Sequence, residues 1–142
     1  MCVLGIGVDL THVTRIARIL EGVHANRFLQ RYFHPKEIAK AASLTHAGRR
    51  AEFVASRWAV KEATIKALGR RVPLAQIYTT KQPISGNKAV LRVCGTALKL
   101  FEEMQVSASH VSVSHDGQLA IAQVLLETSE GQPRVNRPGF AD

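Results

Sequence analysis

A glutamate and a lysine one helical turn apart, Glu62 and Lys66, lie in an otherwise apolar stretch, Arg57-Trp58-Ala59-Val60-Lys61-Glu62-Ala63-Thr64-Ile65-Lys66. At about 3.6 residues per turn, Ala55, Ala59, Ala63 and Ala67 form one stripe. Val54, Trp58, Ile65 and Leu68 form a second, and Phe53 and Val60 a third. A helix apolar nearly all round is enclosed by protein, and burying charge is costly unless it is paired or bound to a metal. On an open face Glu62 and Lys66 would be an ordinary ion pair worth about 0.3 kcal/mol. The enclosure favours a chemical use. Asp9, at the end of an apolar segment, is a second carboxylate far away in sequence. Alone it reads either as a helix cap or as a metal ligand. Together Asp9 and Glu62 could hold a hard divalent cation. Mg²⁺ commonly takes one or two carboxylates and completes its shell with water and substrate phosphate oxygens. Lys66 and Lys61 would then neutralise the phosphates.

Other residues extend the anionic theme. Arg49, Arg50 and Arg57 flank the start of the same helix, and guanidinium forks suit phosphate. His115 reads either as a satisfied core histidine or, beside Ser114 and Asp116, as a phosphate contact or proton carrier. No G-x-x-x-x-G-K-[ST], G-x-G-x-x-G or G-x-S-x-G occurs, which argues against a P-loop ATPase, a Rossmann dehydrogenase and a hydrolase elbow.

The elements that must position these residues are legible in outline. A chain of 142 residues, 46% apolar and 21% charged, reads as one globular domain with a real core. Val3 to Asp9 reads as a buried strand ending on Asp9, with Thr11 or Thr14 capping a short helix to about Leu20. Short helices are expected over 26–32 and 35–42, and a long one over 47–68 closed by Gly69. Strands are expected over 77–80 and 89–94, and a helix over 96–103. Residues 109–115 alternate, Asp116-Gly117 is a type I′ turn signal, and 119–126 returns as the partner strand. His115 shares the parity of Val111 and Val113. The expected domain covers 1–127, and 128–142 reads as a loose tail.

The net charge of +8 favours anionic partners. Cys2 and Cys94 are lone thiols, with neither a disulfide framework nor a zinc knuckle. The longest apolar run is too short to cross a bilayer, and no secretory signal opens the sequence. A bacterial cytoplasmic or mitochondrial matrix location remains open.

Three segments in order carry a resemblance: Gly5-Ile6-Gly7-Val8-Asp9-Leu10; Glu52-Phe53 ahead of Arg57-Trp58-Ala59-Val60-Lys61-Glu62-Ala63 with Lys66; and Ser112-Val113-Ser114-His115-Asp116. In these the sequence resembles the 4′-phosphopantetheinyl transferases, and among them the short holo-[acyl-carrier-protein] synthase type, from about residue 3 to 126. The resemblance implies an α+β fold, a small antiparallel sheet packed on a long central helix, assembled as a homotrimer with active sites at subunit boundaries. It implies transfer of the 4′-phosphopantetheine arm of coenzyme A to a serine of an acidic apo acyl carrier protein, releasing adenosine 3′,5′-bisphosphate. Asp9 and Glu62 would bind Mg²⁺, and Lys66 would steady the phosphate charge. Glu62, or a metal-bound water it orients, would accept the serine proton. Arg49, Arg57 and His115, with Arg50 a looser match, would hold the adenosine end. Arg15 with Arg27-Phe28 would dock the carrier. Ser85-Gly86-Asn87-Lys88-Ala89 departs from the Gly-Lys-Pro-like turn common in the family. The rival readings are a basic nucleic-acid-binding module, for which interleaved stacking aromatics are missing, and a carrier-binding subunit without activity, against which Asp9, Glu62 and Lys66 stand.

Overall fold

Two glycines decide how the molecule is put together. A Cβ at Gly5 would lie 1.9 Å from the Ala67 carbonyl oxygen, and one at Gly7 would lie 1.9 Å from that of Ala63. A β-strand therefore rests directly on the backbone of a helix, an approach only glycine permits. In the computed structural model, which describes residues 1–129, these are β1 (Cys2–His12) and α4 (Ala47–Leu68). Between them run α1 (Val13–Glu21), α2 (Ala25–Tyr32) and α3 (Pro35–Ser43). After α4 come β2 (Ile77–Gln82), β3 (Lys88–Val93), α5 (Gly95–Glu103), β4 (Val106–Asp116) and β5 (Leu119–Thr128).

The strands form two antiparallel sheets: β1-β5-β4 with β5 central, and the pair β2-β3. The α+β class and the long helix over 47–68 are as the sequence predicts. Ala55, Ala59 and Ala63 are fully buried, and Gly69 closes α4 in the left-handed conformation at φ 70°. The core has two lobes along α4. One gathers Ala59, Val60, Ala63, Ile77, Phe101, Val124 and Leu126 beneath the sheets. The other gathers Ile16, Leu29, Phe33, Val54 and Ala55 beneath the three short helices.

Several expectations need correcting. β1 continues past Asp9 to His12, because Leu10, Thr11 and His12 keep pairing with β5. Thr11 is thus buried in the strand, and His12 takes the cap position of α1. Nor is β1 buried on both faces. Ile6, Val8 and Leu10 are 57%, 49% and 62% exposed on the side away from α4. In the β4–β5 hairpin Asp116 pairs with Leu119, so the loop is Gly117-Gln118. Gly117 has φ 55° while Gln118 does not have positive φ, which fits a type II′ turn rather than I′. Thr128 belongs to β5, where its hydroxyl donates to the Gln105 carbonyl at 2.9 Å, and not to the tail. The remainder of the expected tail, from 130, lies outside the described residues. Among those residues, no helix is long and apolar enough to cross a membrane.

Candidate active site

The glycine contacts set a register between β1 and α4. Two residues forward along the strand, from Gly5 to Gly7, correspond to one turn back along the helix, from Ala67 to Ala63. Asp9 shares the parity of these glycines and lies opposite Ala122, whose side chain is fully buried on the helix-facing side. Its carboxylate therefore meets α4. Lys66 Nζ donates to Asp9 Oδ1 at 3.1 Å and to the Val8 carbonyl at 2.9 Å. The Thr11 hydroxyl donates to Asp9 Oδ2 at 3.0 Å. Asp9 is thus oriented on both oxygens by strand and helix together.

Glu62 lies one turn from Lys66 on the same face of α4. Its side chain is half-buried and makes no hydrogen bond or ion pair among the described residues. Lys66 has turned to Asp9 instead, so the i,i+4 pair possible in sequence is not formed. The donor set fits a hard cation: two carboxylates, with an ammonium on one of them as the present counter-charge. No cluster of three or more His, Cys, Asp or Glu able to hold a metal occurs among the described residues. The described residues thus offer at most a two-carboxylate site, and Mg²⁺ accepts such a site when water and substrate phosphates supply the rest.

Lys61 departs from expectation. It is fully buried, and its three donors are committed to Glu37 Oε1 at 2.6 Å, the Leu74 carbonyl at 3.0 Å and the Ile77 carbonyl. With no donor left and no access to solvent, it cannot neutralise a ligand phosphate in this arrangement. Burial lowers its pKa; the Glu37 carboxylate opposes that by charge and by hydrogen bonding. Glu37 is the residue the sequence reading missed. The available signal was that an ammonium inside an apolar helix demands a carboxylate partner. Glu37, in the first turn of α3, also caps that helix by accepting from the His34 backbone N–H at 3.0 Å.

The arginines separate. Arg57 stacks on Phe53, 4.6 Å from the ring centre, and donates to the Ser56 hydroxyl at 3.1 Å. Desolvation lowers its pKa, and Glu37 partly offsets this. Arg57 lines a cavity of about 270 Å³ with Lys36, Glu37, Lys40, Phe53 and Thr79, and with Asn87 and Ala89 of the divergent segment. Arg49 is exposed at the start of α4. Arg50 turns instead into a separate crevice beside Ala17, Leu20 and Glu21, with Nε buried and unpartnered among the described residues. His115 has the predicted parity, opposite Ala120, but lies beyond the core and is exposed. Among the described residues it makes no hydrogen bond. Neither Arg49 nor His115 lines the cavity that Arg57 lines.

Arg15 and Arg27 are exposed on α1 and α2. Phe28 is half-buried, 5.5 Å from Trp58 and 5.6 Å from Tyr32 between ring centres, so much of it is committed to the helical lobe. Val23 in the α1–α2 loop, absent from the expected docking set, is 94% exposed.

Comparison with known proteins bears on this arrangement. The model of the 4′-phosphopantetheinyl transferase superfamily matches residues 5–124. The holo-[acyl-carrier-protein] synthase of Desulfovibrio desulfuricans is 36% identical over 127 residues, spanning 88% of this chain and 98% of that relative. The crystal structure of the holo-ACP-synthase from Plasmodium yoelii superimposes with a TM-score of 0.79 at 28% identity, over 90% of this chain and 97% of that one. The Bacillus anthracis holo-(acyl-carrier-protein) synthase, in complex with CoA (3′,5′-ADP), gives 0.72 at 30% identity over 91% and 100%. With the motif residues ordered as they are and the fold shared along nearly its whole length, this chain belongs to the 4′-phosphopantetheinyl transferase superfamily, as an enzyme of the short holo-[acyl-carrier-protein] synthase type.

Proposed function

We propose that this chain transfers the 4′-phosphopantetheine group of coenzyme A to a serine of an apo acyl carrier protein, with Mg²⁺, releasing adenosine 3′,5′-bisphosphate. The observation that carries the reading is Asp9 held by Lys66 at 3.1 Å, with Glu62 one turn away on the same helix face. Relatives named as holo-[acyl-carrier-protein] synthases, and solved relatives described with coenzyme A, support it.

Phosphoryl transfer asks mainly for positioning and charge stabilisation. In the proposed reaction the serine oxygen bonds to the β-phosphorus, and the bond from that phosphorus to the bridging oxygen of the pyrophosphate breaks. Asp9 and Glu62 are the residues that would hold Mg²⁺, which would neutralise pyrophosphate charge. Glu62, or a water it orients, takes the serine proton. Lys66, whose side chain is 54% exposed, is free to move from Asp9 toward the phosphates and steady the charge on the leaving oxygen. Arg57 meets the adenosine end from its cavity, with Arg49 and His115 contributing from the surface.

The uncovered apolar face supports the homotrimer. Ile6, Val8 and Leu10 of β1 are joined on the outer side by Leu119 and Ile121 of β5, each 38% exposed. A contiguous apolar patch on an isolated chain marks an interaction surface. Other copies of the chain are its occupants here, bringing His115 of one copy toward the arginines of another. The carrier docks on Arg15 and Arg27, beside the partly exposed Phe28, through charge complementarity. The relative from Desulfovibrio desulfuricans is bacterial, which favours the bacterial cytoplasm over the mitochondrial matrix.

The test is incubation with a folded apo carrier protein, coenzyme A and Mg²⁺, followed by intact mass. The carrier gains one phosphopantetheinyl group, and EDTA abolishes the gain. No gain with metal present rejects the reading. Salt-sensitive DNA binding without a gain favours the nucleic-acid alternative.

A further inference from the structure

The ion pair between Glu37 and Lys61 has no place in the chemistry above, yet it is among the most buried polar contacts in the molecule. The two side chains are 3% and 0% exposed. A buried pair is weak evidence of stabilisation, because well-packed apolar residues of similar volume often serve as well or better. What such a pair supplies that an apolar one cannot is direction. Lys61 Nζ pins the Leu74 and Ile77 carbonyls to α4. These flank the point where β2 begins. Further along β2, Thr79 and Thr80 form the wall that faces Phe53 and Arg57 across the cavity of about 270 Å³.

Glu37 has a second connection to that cavity. Its Oε1 is saturated by Lys61 at 2.6 Å and the His34 N–H at 3.0 Å, while its Oε2 is buried with no partner among the described residues. Thr79 Oγ1, in the facing wall, is likewise unpartnered. Arg57, stacked on Phe53, lies within the field of the Glu37 carboxylate. Glu37 and Arg57 line the same cavity, and the carboxylate's charge opposes the effect of desolvation on the guanidinium.

We propose that Glu37 is a positioning residue for coenzyme A: through Lys61 it places the β2 wall of the cavity, and by its own charge it holds Arg57 there. Its effect falls on the adenosine bisphosphate end of the substrate and not on the reacting phosphorus. The proposal rests on the coenzyme A reading of this cavity given above.

The experiment compares the wild type with Glu37→Gln, Lys61→Met and the charge-free double variant Glu37→Leu/Lys61→Met. Four quantities are measured: thermal midpoint, KM for coenzyme A, KM for the carrier, and Kd for adenosine 3′,5′-bisphosphate by calorimetry. Glu37→Gln raises KM for coenzyme A and Kd for the bisphosphate by about 10-fold, the scale of losing an outer-shell partner. The carrier KM and kcat stay unchanged. The double variant recovers the thermal midpoint lost by either single variant but not the affinity for the bisphosphate. A folded Glu37→Gln protein with wild-type KM for coenzyme A overturns the proposal. So does a double variant that regains bisphosphate affinity together with stability, since the pair would then be structural only. If Glu37→Gln does not fold, the double variant decides. A wild-type protein that neither transfers nor binds the bisphosphate is a different result, which rejects the coenzyme A reading itself.

Discussion

Lys66 Nζ donates to Asp9 Oδ1 at 3.1 Å, joining the middle of the first strand to the last turns of the longest helix. The contact needs both glycines that precede Asp9, since any side chain at Gly5 or Gly7 would lift the strand off α4. It leaves Glu62 on the same helix face without a partner among the described residues.

Glu62→Gln and Asp9→Asn each remove one charge at nearly constant volume. The helix remains, because Glu62 anchors nothing in it. We expect an unchanged thermal midpoint in Glu62→Gln and, in both variants, a loss of metal-dependent turnover of about 100-fold, the scale of removing a preorganised charge contact at a reacting group. Titrating Mg²⁺ against rate checks it, and undiminished turnover in Glu62→Gln would show that this carboxylate has no part in the chemistry.

Gly7→Ala brings a methyl to 1.9 Å from the Ala63 carbonyl oxygen. That atom is backbone within a buried helix and cannot swing aside. Forced overpacking of this kind costs about 3 kcal/mol. Urea denaturation measures the loss; a cost near zero would mean that the strand does not rest on α4 as described.

His34 links stability to pH. Its Nδ1 accepts from the Lys36 N–H at 3.2 Å, and its ring stacks on Tyr78 at 3.9 Å. Desolvation lowers its pKa below the ordinary 6.5, against the pull of Glu37 and with Lys61 and Lys36 adding to the depression. The unfolded chain therefore binds more protons below pH 6.5 than the folded one. The stabilisation is present above that pH and is lost as pH falls through the lowered folded-state value. Between about pH 8 and about pH 5 the thermal midpoint should drop more in the wild type than in His34→Asn, which keeps a capping oxygen but does not titrate. Equal drops would assign the acid sensitivity to other groups.

Arg15→Glu reverses a charge on the exposed face of α1, at a residue that does not line the Arg57 cavity. Association with an acidic carrier should slow by about 10-fold at low salt, with the difference shrinking as salt rises. Affinity for coenzyme A should stay the same. Stopped-flow association and calorimetry separate the two, and parallel losses in both would count against a docking role.

Val8→Lys puts a charge in the outer face of β1, where Val8 is 49% exposed between the exposed Ile6 and Leu10 and lies opposite Gln123 of β5. Sedimentation should show a trimer for the wild type and a monomer for the variant. Transfer should be lost with assembly, because in the proposed mechanism His115 of one copy works with the arginines of another. A monomeric wild type with full activity would remove the trimer from the mechanism.

Much of this protein can be read from residue order alone. The helix over 47–68 follows from an alanine stripe spaced one turn apart and a glycine that ends it, and both are local properties. The β4–β5 hairpin follows from strict alternation about a glycine turn. The residue types at Asp9, Glu62 and Lys66 point to a cation and phosphate, and the three ordered motifs carry the resemblance to the phosphopantetheinyl transferases. What local pattern could not assign is which charge meets which. Glu62 and Lys66 have the spacing of a pair, but Lys66 bonds Asp9 because the glycines bring that strand against the helix. Lys61 looks like a ligand contact beside Glu62, but one position along a helix is about 100° of rotation, and that turns it inward to Glu37. β1 reads as buried on both sides because apolar residues line both faces, whereas in the single chain its outer face is bare. Partner choice among distant charges depends on backbone approach and on helix phase against neighbouring elements, and only the tertiary structure decides those.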